Sequence, residues 1–355
     1  MRRCSPIELS FVALAWLAAA DPTAAQDTTD SLQVINDVEA KELVFVVGPV
    51  DLPAGAGHHM VKQPPLLEAT VPIDAYLTGF DVEMVDAGGR PMTQRVLHHV
   101  NLIDPDSREL FSPVARRLFA AGSETQPASV PRLIGVPVKE GQRLVVSAMF
   151  HNPTELSYPG ARLHVRLAYR TRGWFFPVGV QPVYIDVMGH VGAKEFDLPP
   201  GRTERSWQGS PAIPGRLLGA GGHLHDHAMV LRFEDVTEGK VLWETRPELD
   251  EEGHVVKVPI GQFWWKGGIV LRPEHTYRLT VIYDNPTGRT LPGGGMGVLG
   301  GVFKPGEDWP RLDPRDPLYV ANMDETQRTA AMRATGMDMT HGAHEGRPEI
   351  DEHQH

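Results

Sequence analysis

Hydrophobic residues recur along this chain mostly at every second position. Leu163, Val165, Leu167 and Tyr169 alternate with Arg162, His164, Arg166 and Arg170, the period of a β-strand with one buried and one wet face. Arg278-Leu279-Thr280-Val281-Ile282-Tyr283 also reads as a strand, and Arg143-Leu144-Val145-Val146-Ser147-Ala148-Met149-Phe150 as one with a more continuous apolar run. Turn signals separate such runs: Asp86-Ala87-Gly88-Gly89, Pro199-Pro200-Gly201 and Pro292-Gly293-Gly294-Gly295. The 36 glycines and 31 prolines fit many short strands joined by turns. The pattern predicts an all-β body of sandwiches rather than one open sheet.

The two halves echo each other. Leu144 to Thr154 (LVVSAMFHNPT) resembles Leu279 to Thr287 (LTVIYDNPT), each a strand ending in Asn-Pro-Thr. The run from His98 to Asp104, continuing to Phe111, likewise resembles the run from the histidines near 225 through Asp235 to Trp243. A repeat this long predicts two related tandem domains rather than a solenoid. The expected division is a signal peptide at 1–25, β-sandwich domains at 38–175 and 176–312, and a tail at 313–355.

Arg2 and Arg3 precede an apolar segment from about Leu9 to Ala20, followed by Thr23-Ala24-Ala25. This is the pattern of a secretory signal cleaved near Ala25-Gln26, which predicts a secreted or periplasmic protein. No later stretch approaches the ~18–20 apolar residues of a membrane span. Cys4, the single cysteine, falls inside the signal, so disulfides, thiolate centres, iron–sulfur clusters and attached c-type haem are not expected. The formal charge of −11 argues against nucleic acid and anionic lipid as partners. The end of the chain, from Met337 through His355, is polar and rich in His and Met, and reads as a disordered tail, either copper-collecting or merely solvated.

Chemistry concentrates around Gly221-Gly222-His223-Leu224-His225-Asp226-His227. On a strand the three imidazoles would share a face, forming an edge suited to copper, zinc, iron or nickel, or a solvated polar face. Other metal-capable residues are His98 and His99, then His151, then Met296 inside Gly293-Gly294-Gly295-Met296-Gly297. A thioether is a soft donor that favours Cu(I), so His223, His225 and Met296 together would select copper; alternatively Met296 fills a gap beside a turn. Adjacent His98 and His99 can share a metal only at a bulge or strand end. His227 is either a third imidazole of the row or a hydrogen-bonding group beside Asp226. Gly57-His58-His59-Met60 looks like a second His-His-Met ligand triplet, but between Gly-rich and Pro-rich turns it reads as a surface loop rather than a ligand. Neither a hydrolase nucleophile elbow nor a phosphate-cradling Gly-Lys-Ser/Thr loop is present.

The order His98-His99, His151, His223-x-His225, Met296 resembles the copper type II, ascorbate-dependent monooxygenases, the family of peptidylglycine α-hydroxylating monooxygenase and dopamine β-monooxygenase. The resemblance spans about residues 60 to 305 and rests on those six positions and the two-domain layout. It implies two jelly-roll-like sandwiches, each with a copper, facing across a cleft. His98, His99 and His151 would hold an electron-transfer copper; His223, His225 and Met296 would hold the catalytic one, where dioxygen meets the substrate C–H bond. Ascorbate or another reductant would supply electrons, and the substrate would be a small molecule or peptide. This chain departs from the family in having no disulfides, in Val100 after the His pair where the peptide hydroxylase has Met, and in lacking its substrate-binding residues. The alternative expectation is a non-catalytic periplasmic protein for copper binding or delivery, and a lesser one is an adhesion or assembly module.

Overall fold

The computed structural model describes residues 31–324 except 124, 126, 172–176 and 190. The expected signal peptide and most of the tail lie outside the described residues. The first half supplies eight principal strands: β1 (Glu42–Leu52), β2 (Leu67–Thr70), β3 (Ala75–Val85), β4 (Leu97–Arg108), β5 (Ala115–Gly122), β6 (Ile134–Val138), β7 (Arg143–Phe150) and β8 (Tyr158–Arg170). The second half repeats the set: β9 (Gln181–Asp186), β10 (Gly201–Gly209), β11 (Gly215–Leu224), β12 (Ala228–Asp235), β13 (Lys240–Thr245), β14 (Ile269–Leu271), β15 (Tyr277–Asn285) and β16 (Gly297–Pro305).

Strand order makes the repeat explicit. The first half pairs β1-β8-β3-β6 in one sheet and β2-β7-β4-β5 in the other; the second half pairs β9-β16-β11-β14 and β10-β15-β12-β13. Each half is thus an eight-stranded jelly roll of two packed sheets. The alternation in β8 is the reason it lies where it does. Leu163, Val165, Leu167 and Tyr169 are all buried, while the intervening residues stay half-exposed. Each half has its own core, one centred on Phe45, Val100, Phe150 and Leu163, the other on Phe233, Tyr277, Tyr283 and Phe303.

The shared Asn-Pro-Thr motif forms the same knot in both halves. Asn152 Nδ2 donates to the carbonyls of Leu52 and Leu156 at 3.0 and 2.7 Å, and its Oδ1 accepts from the Thr154 amide and hydroxyl at 3.0 and 2.7 Å. Asn285 repeats this with Leu198 and Arg289 at 2.9 and 2.8 Å and with Thr287 at 3.0 and 2.7 Å. Both side chains are buried, so each bond replaces one that water would otherwise make.

The halves are locked together by residues that cross over. Leu110 and Phe111, in the connection between β4 and β5, belong to the second core, where the Phe111 ring meets Trp207, Phe233 and Tyr277 edge-on at 6.4, 6.4 and 6.1 Å. A buried polar layer surrounds this plug. Arg116 pairs with Asp104 at 2.7 Å and donates to Gln181 Oε1 at 2.6 Å, Arg117 lies 4.1 Å over the Tyr184 ring, and Tyr184 donates to Asp186 at 2.6 Å. Glu109 is fully buried; its Oε1 accepts from the Arg117 amide at 2.8 Å, and its Oε2 has no hydrogen-bond partner among the described residues. Burial pushes its carboxyl up to about 7 against the pull of Arg117.

Two measurements check this architecture. Replacing Asn285 with Ala strands the buried Leu198 carbonyl and removes partly buried bonds to Arg289 and Thr287, and should lower unfolding stability by about 1–3 kcal/mol in urea denaturation; a change below about 0.5 kcal/mol would refute the knot's role. Glu109 binds its proton more tightly in the fold than its ordinary value of 4.5, so its contribution to stability is full below about pH 4.5 and lost as pH rises through about 7. Glu109→Gln keeps the acceptor for Arg117 and should flatten that decline, worth at most about 3 kcal/mol; an unchanged pH profile would show that Glu109 is ionised in the fold.

Candidate metal centres

The first centre forms where β4 begins and β7 ends. Leu97 pairs with Phe150 but His99 pairs with Met149, so a bulge at His98 inserts an extra residue. That bulge defeats the alternation that would send adjacent side chains to opposite faces. His98 Nδ1 and His99 Nδ1 consequently lie 3.2 Å apart. Two nitrogens each about 2.0–2.1 Å from one ion at near-tetrahedral angles would be about 3.3 Å apart. His151 follows β7 directly, its amide bound to the Val96 carbonyl at 3.0 Å and its ring centroid 5.3 Å from that of His98. His151 Nε2 donates to the Arg95 carbonyl at 2.7 Å, which fixes the tautomer and leaves Nδ1 as the basic nitrogen. Crowding around the His98 ring, with His151 and His58 adding to it, lowers its pKa and favours the neutral form a metal needs.

The surface loop expected at 57–60 is there, and it brings His58 beside His98. Gly57-His58-His59-Met60 is indeed a surface turn, a short 3-10 segment with Met60 exposed, but its His58 ring lies 5.9 Å from His98, edge-on. Only the fold brings these residues together; the separation of 40 positions gives no pattern to read.

The second centre lies at the ends of β11 and β16. His223 is on β11 and His225 just past its end, with ring centroids 5.5 Å apart. Leu224 pairs with Gly297 across the ladder, which sets Met296 opposite His225. One hydroxyl joins the two segments: Tyr283 Oη accepts from the His225 amide at 3.0 Å and the Met296 amide at 3.1 Å, and donates to the Met296 carbonyl. Burial pushes the Tyr283 hydroxyl up to about 12, keeping it protonated. His225 Nδ1 donates to the Gly293 carbonyl at 3.2 Å, leaving Nε2 to face a ligand. Gly293 is in the left-handed region at φ 60°, which favours glycine there. The Glu195 carboxylate acts on His98, opposing the fall in its pKa.

The expected row of three imidazoles is shortened to two. His227 has φ 67°, and a left-handed residue breaks strand alternation; its amide instead donates to the Gly253 carbonyl at 2.9 Å. Asp226 holds the hairpin at 248–257, accepting from His254 Nδ1 at 2.7 Å and the Val255 amide at 3.0 Å. Partial burial opposes ionisation of Asp226, yet these bonds lower its pKa, and the Asp226 bond raises that of His254. Trp264 and Trp265 are exposed on a short 3-10 segment.

Among the described residues, one group places three ligand atoms of His or carboxylate type within 4.8 Å of one another: Asp235, Glu238 and His275. Its geometry belongs to the fold. Asp235 accepts from the Glu238 amide at 3.0 Å and from His275 at 2.7 Å, and its counterpart in the first domain, Asp104, is neutralised by Arg116. No three of His58, His98, His99 and His151 offer nitrogens that close together; their rings meet His98 one at a time.

No protein-family model matches the chain, and no curated protein matches it. Solved structures that resemble it include the major capsid protein P2 from bacteriophage PM2, at 12% identity and TM-score 0.34, covering 74% of this chain and 96% of that one. PNGF-II is similar at 9% identity and TM-score 0.39, covering 74% and 66%. The mavirus major capsid protein matches at 8% identity and TM-score 0.21, covering 84% and 93%. Likeness this distant carries no functional argument. No helix among the described residues is long and apolar enough to cross a membrane.

The Tyr283 hydroxyl gives the sharpest check on the second centre. Tyr283→Phe removes one oxygen and frees both the His225 and Met296 amides, so stability should fall by about 1–3 kcal/mol and Cu(I) affinity by about 10- to 100-fold, measured by competition with a Cu(I) chelator. Unchanged affinity would separate the tyrosine from the centre.

Proposed function

We propose that the chain is an exported copper-dependent monooxygenase-like enzyme that hydroxylates an organic substrate with dioxygen and a reductant such as ascorbate. The observation that carries this reading is the pair of unlike donor sets, one on each jelly roll: His98, His99 and His151 in the first, His223, His225 and Met296 in the second. Each includes an imidazole whose non-ligating nitrogen is tied to a backbone carbonyl, the arrangement that orients metal-bound histidines. The donors fit copper: nitrogen alone suits either oxidation state, and nitrogen with thioether favours the reduced one.

Copper, when bound, would supply one-electron steps and a position for dioxygen. The overall reaction inserts one oxygen atom into a C–H bond and releases the other as water, using two electrons from the reductant and two protons. The chain's own part is positioning. Tyr283 fixes His225 against Met296, Gly293 sets the imidazole's rotation, and Asp226 pins the hairpin beside them. Ile260, 71% exposed, stands 3.7 Å from where a Cβ of Gly221 would lie, on the face that His223 shares. An exposed apolar side chain on that face suits an organic substrate.

The test is copper content and turnover of the mature chain loaded anaerobically with Cu(I) and dialysed. Two coppers per chain and ascorbate-driven oxygen uptake above that of free copper are expected, with His225→Ala or Met296→Ala losing one copper and at least about 100-fold in uptake. Undiminished uptake in either variant would end the enzyme reading; copper retained without uptake, across candidate substrates, would favour binding and delivery.

A further inference from the structure

We infer that the open hollow at the C-terminal end of β8 binds a multiply charged oxyanion of the phosphate or sulfate class, independently of either copper centre. The hollow has a volume of about 560 Å³, and Lys41, Arg132, Arg170 and Thr171 are in its lining. Among the described residues no carboxylate lines it, although acidic residues outnumber basic ones by 45 to 34 along the chain. Farther back on the same wet face of β8 the positive charge is matched: Arg166 reaches Glu83 at 3.0 Å and Glu42 at 3.7 Å. Those acidic partners stop short of the strand end. Arg170 pairs with Tyr76 across the ladder, and Asp37, at the start of the turn before β1, accepts from the Ala40 amide at 2.9 Å. Three positive charges around one hollow repel one another, and an anion seated among them removes that cost.

Three hydrogen bonds assemble the hollow from separate stretches of chain. The Tyr169 amide donates to the Lys41 carbonyl at 2.8 Å, Arg170 Nη1 donates to the Arg132 carbonyl at 3.3 Å, and the Thr78 hydroxyl donates to the Ala168 carbonyl at 3.3 Å. Lys41 supplies an independent sign. Its backbone is left-handed, at φ 58°, a conformation that among the described residues only His227 shares outside glycine. A turn ordinarily gives such a position to glycine; here it carries a lysine whose ammonium joins two guanidiniums, and strain of this kind collects where a chain binds something. Guanidinium forks and an ammonium suit tetrahedral oxyanions, and three positive charges match phosphate or sulfate better than a single carboxylate or chloride. None of these residues lies on β4, β7, β11 or β16, so the hollow is separate from both candidate centres.

The experiment titrates inorganic phosphate, and separately sulfate, into the full chain without added metal, by calorimetry at constant ionic strength set with chloride. One saturable site per chain is expected. Arg170→Ala should weaken it by about 5-fold or more, and Lys41→Gly by a similar factor. Lys41→Gly gives the turn the residue its backbone favours and should leave the unfolding midpoint unchanged or raised, so affinity lost there is not lost through misfolding. Lys41→Arg keeps the charge and should keep most of the affinity. Pelleting with phosphatidylglycerol vesicles separates a free anion from a lipid headgroup, and the chain should stay in the supernatant. No saturable binding above chloride, or equal affinity in Arg170→Ala and Lys41→Gly, would overturn the inference. Vesicle binding without binding of free phosphate or sulfate would overturn it as well. Each of these outcomes leaves the copper reading where it stands.

Discussion

Leu110 and Phe111 leave the domain that encodes them and are buried in the core of the other, and the placement of both centres depends on that crossing. Two jelly rolls joined by a connection alone would be free to reorient. Here an aromatic ring set edge-on against three others, and a buried layer around the Arg116–Asp104 pair, fix one arrangement. Apolar burial supplies the attraction, but it is tolerant of sliding. The guanidinium and carboxylate groups are directional, and leaving either unpaired is costly, so they select the register. Glu195 can act on His98 from the neighbouring domain because that register is fixed.

Within each domain, precision comes from single polar atoms at strand ends. A ladder sets residues opposite one another to within a pleat, which is too coarse to aim a ligand. The Asn152 and Asn285 knots tie off the strands, and the hydroxyl of Tyr283 then gathers two amides and a carbonyl around itself. Gln63 has the same office in the first domain, binding the turn at 58 to the strand that ends beside His151.

Much of this was legible in the sequence, and the limits have physical causes. The period-two pattern of β8 and the echo of Leu144–Thr154 in Leu279–Thr287 identified an all-β, duplicated fold, because burial on one face imposes alternation wherever strands are half-covered. The need for a bulge at His98 followed from adjacency, and the register shift is there. His227 was misplaced as a possible third member of the row because alternation assumes a continuous strand, whereas the backbone turns left-handed at that residue. The nearness of His58 to His98 was not legible, because it exists only through the fold and a side-chain clamp from Gln63. Tyr283 carried a faint signal: where the first repeat has Phe150, the second has the same ring with a hydroxyl added.

The two centres do not occupy matching places in the repeat. The bulge that carries His98 recurs in β12, between Ala228 and Val230, but Met229 stands there, and Asp284 stands where His151 would. Conversely, the first centre is built on the sheet containing β4 and β7, and the second on the sheet containing β11 and β16. Duplication of an ancestral sandwich accounts for the scaffold and not for the two candidate ligand sets, which lie on different sheets. Descendants of such a chain can therefore lose or remodel one centre without disturbing the inheritance of the other, so relatives carrying a single intact ligand set would be natural products of this architecture rather than degenerate copies of it.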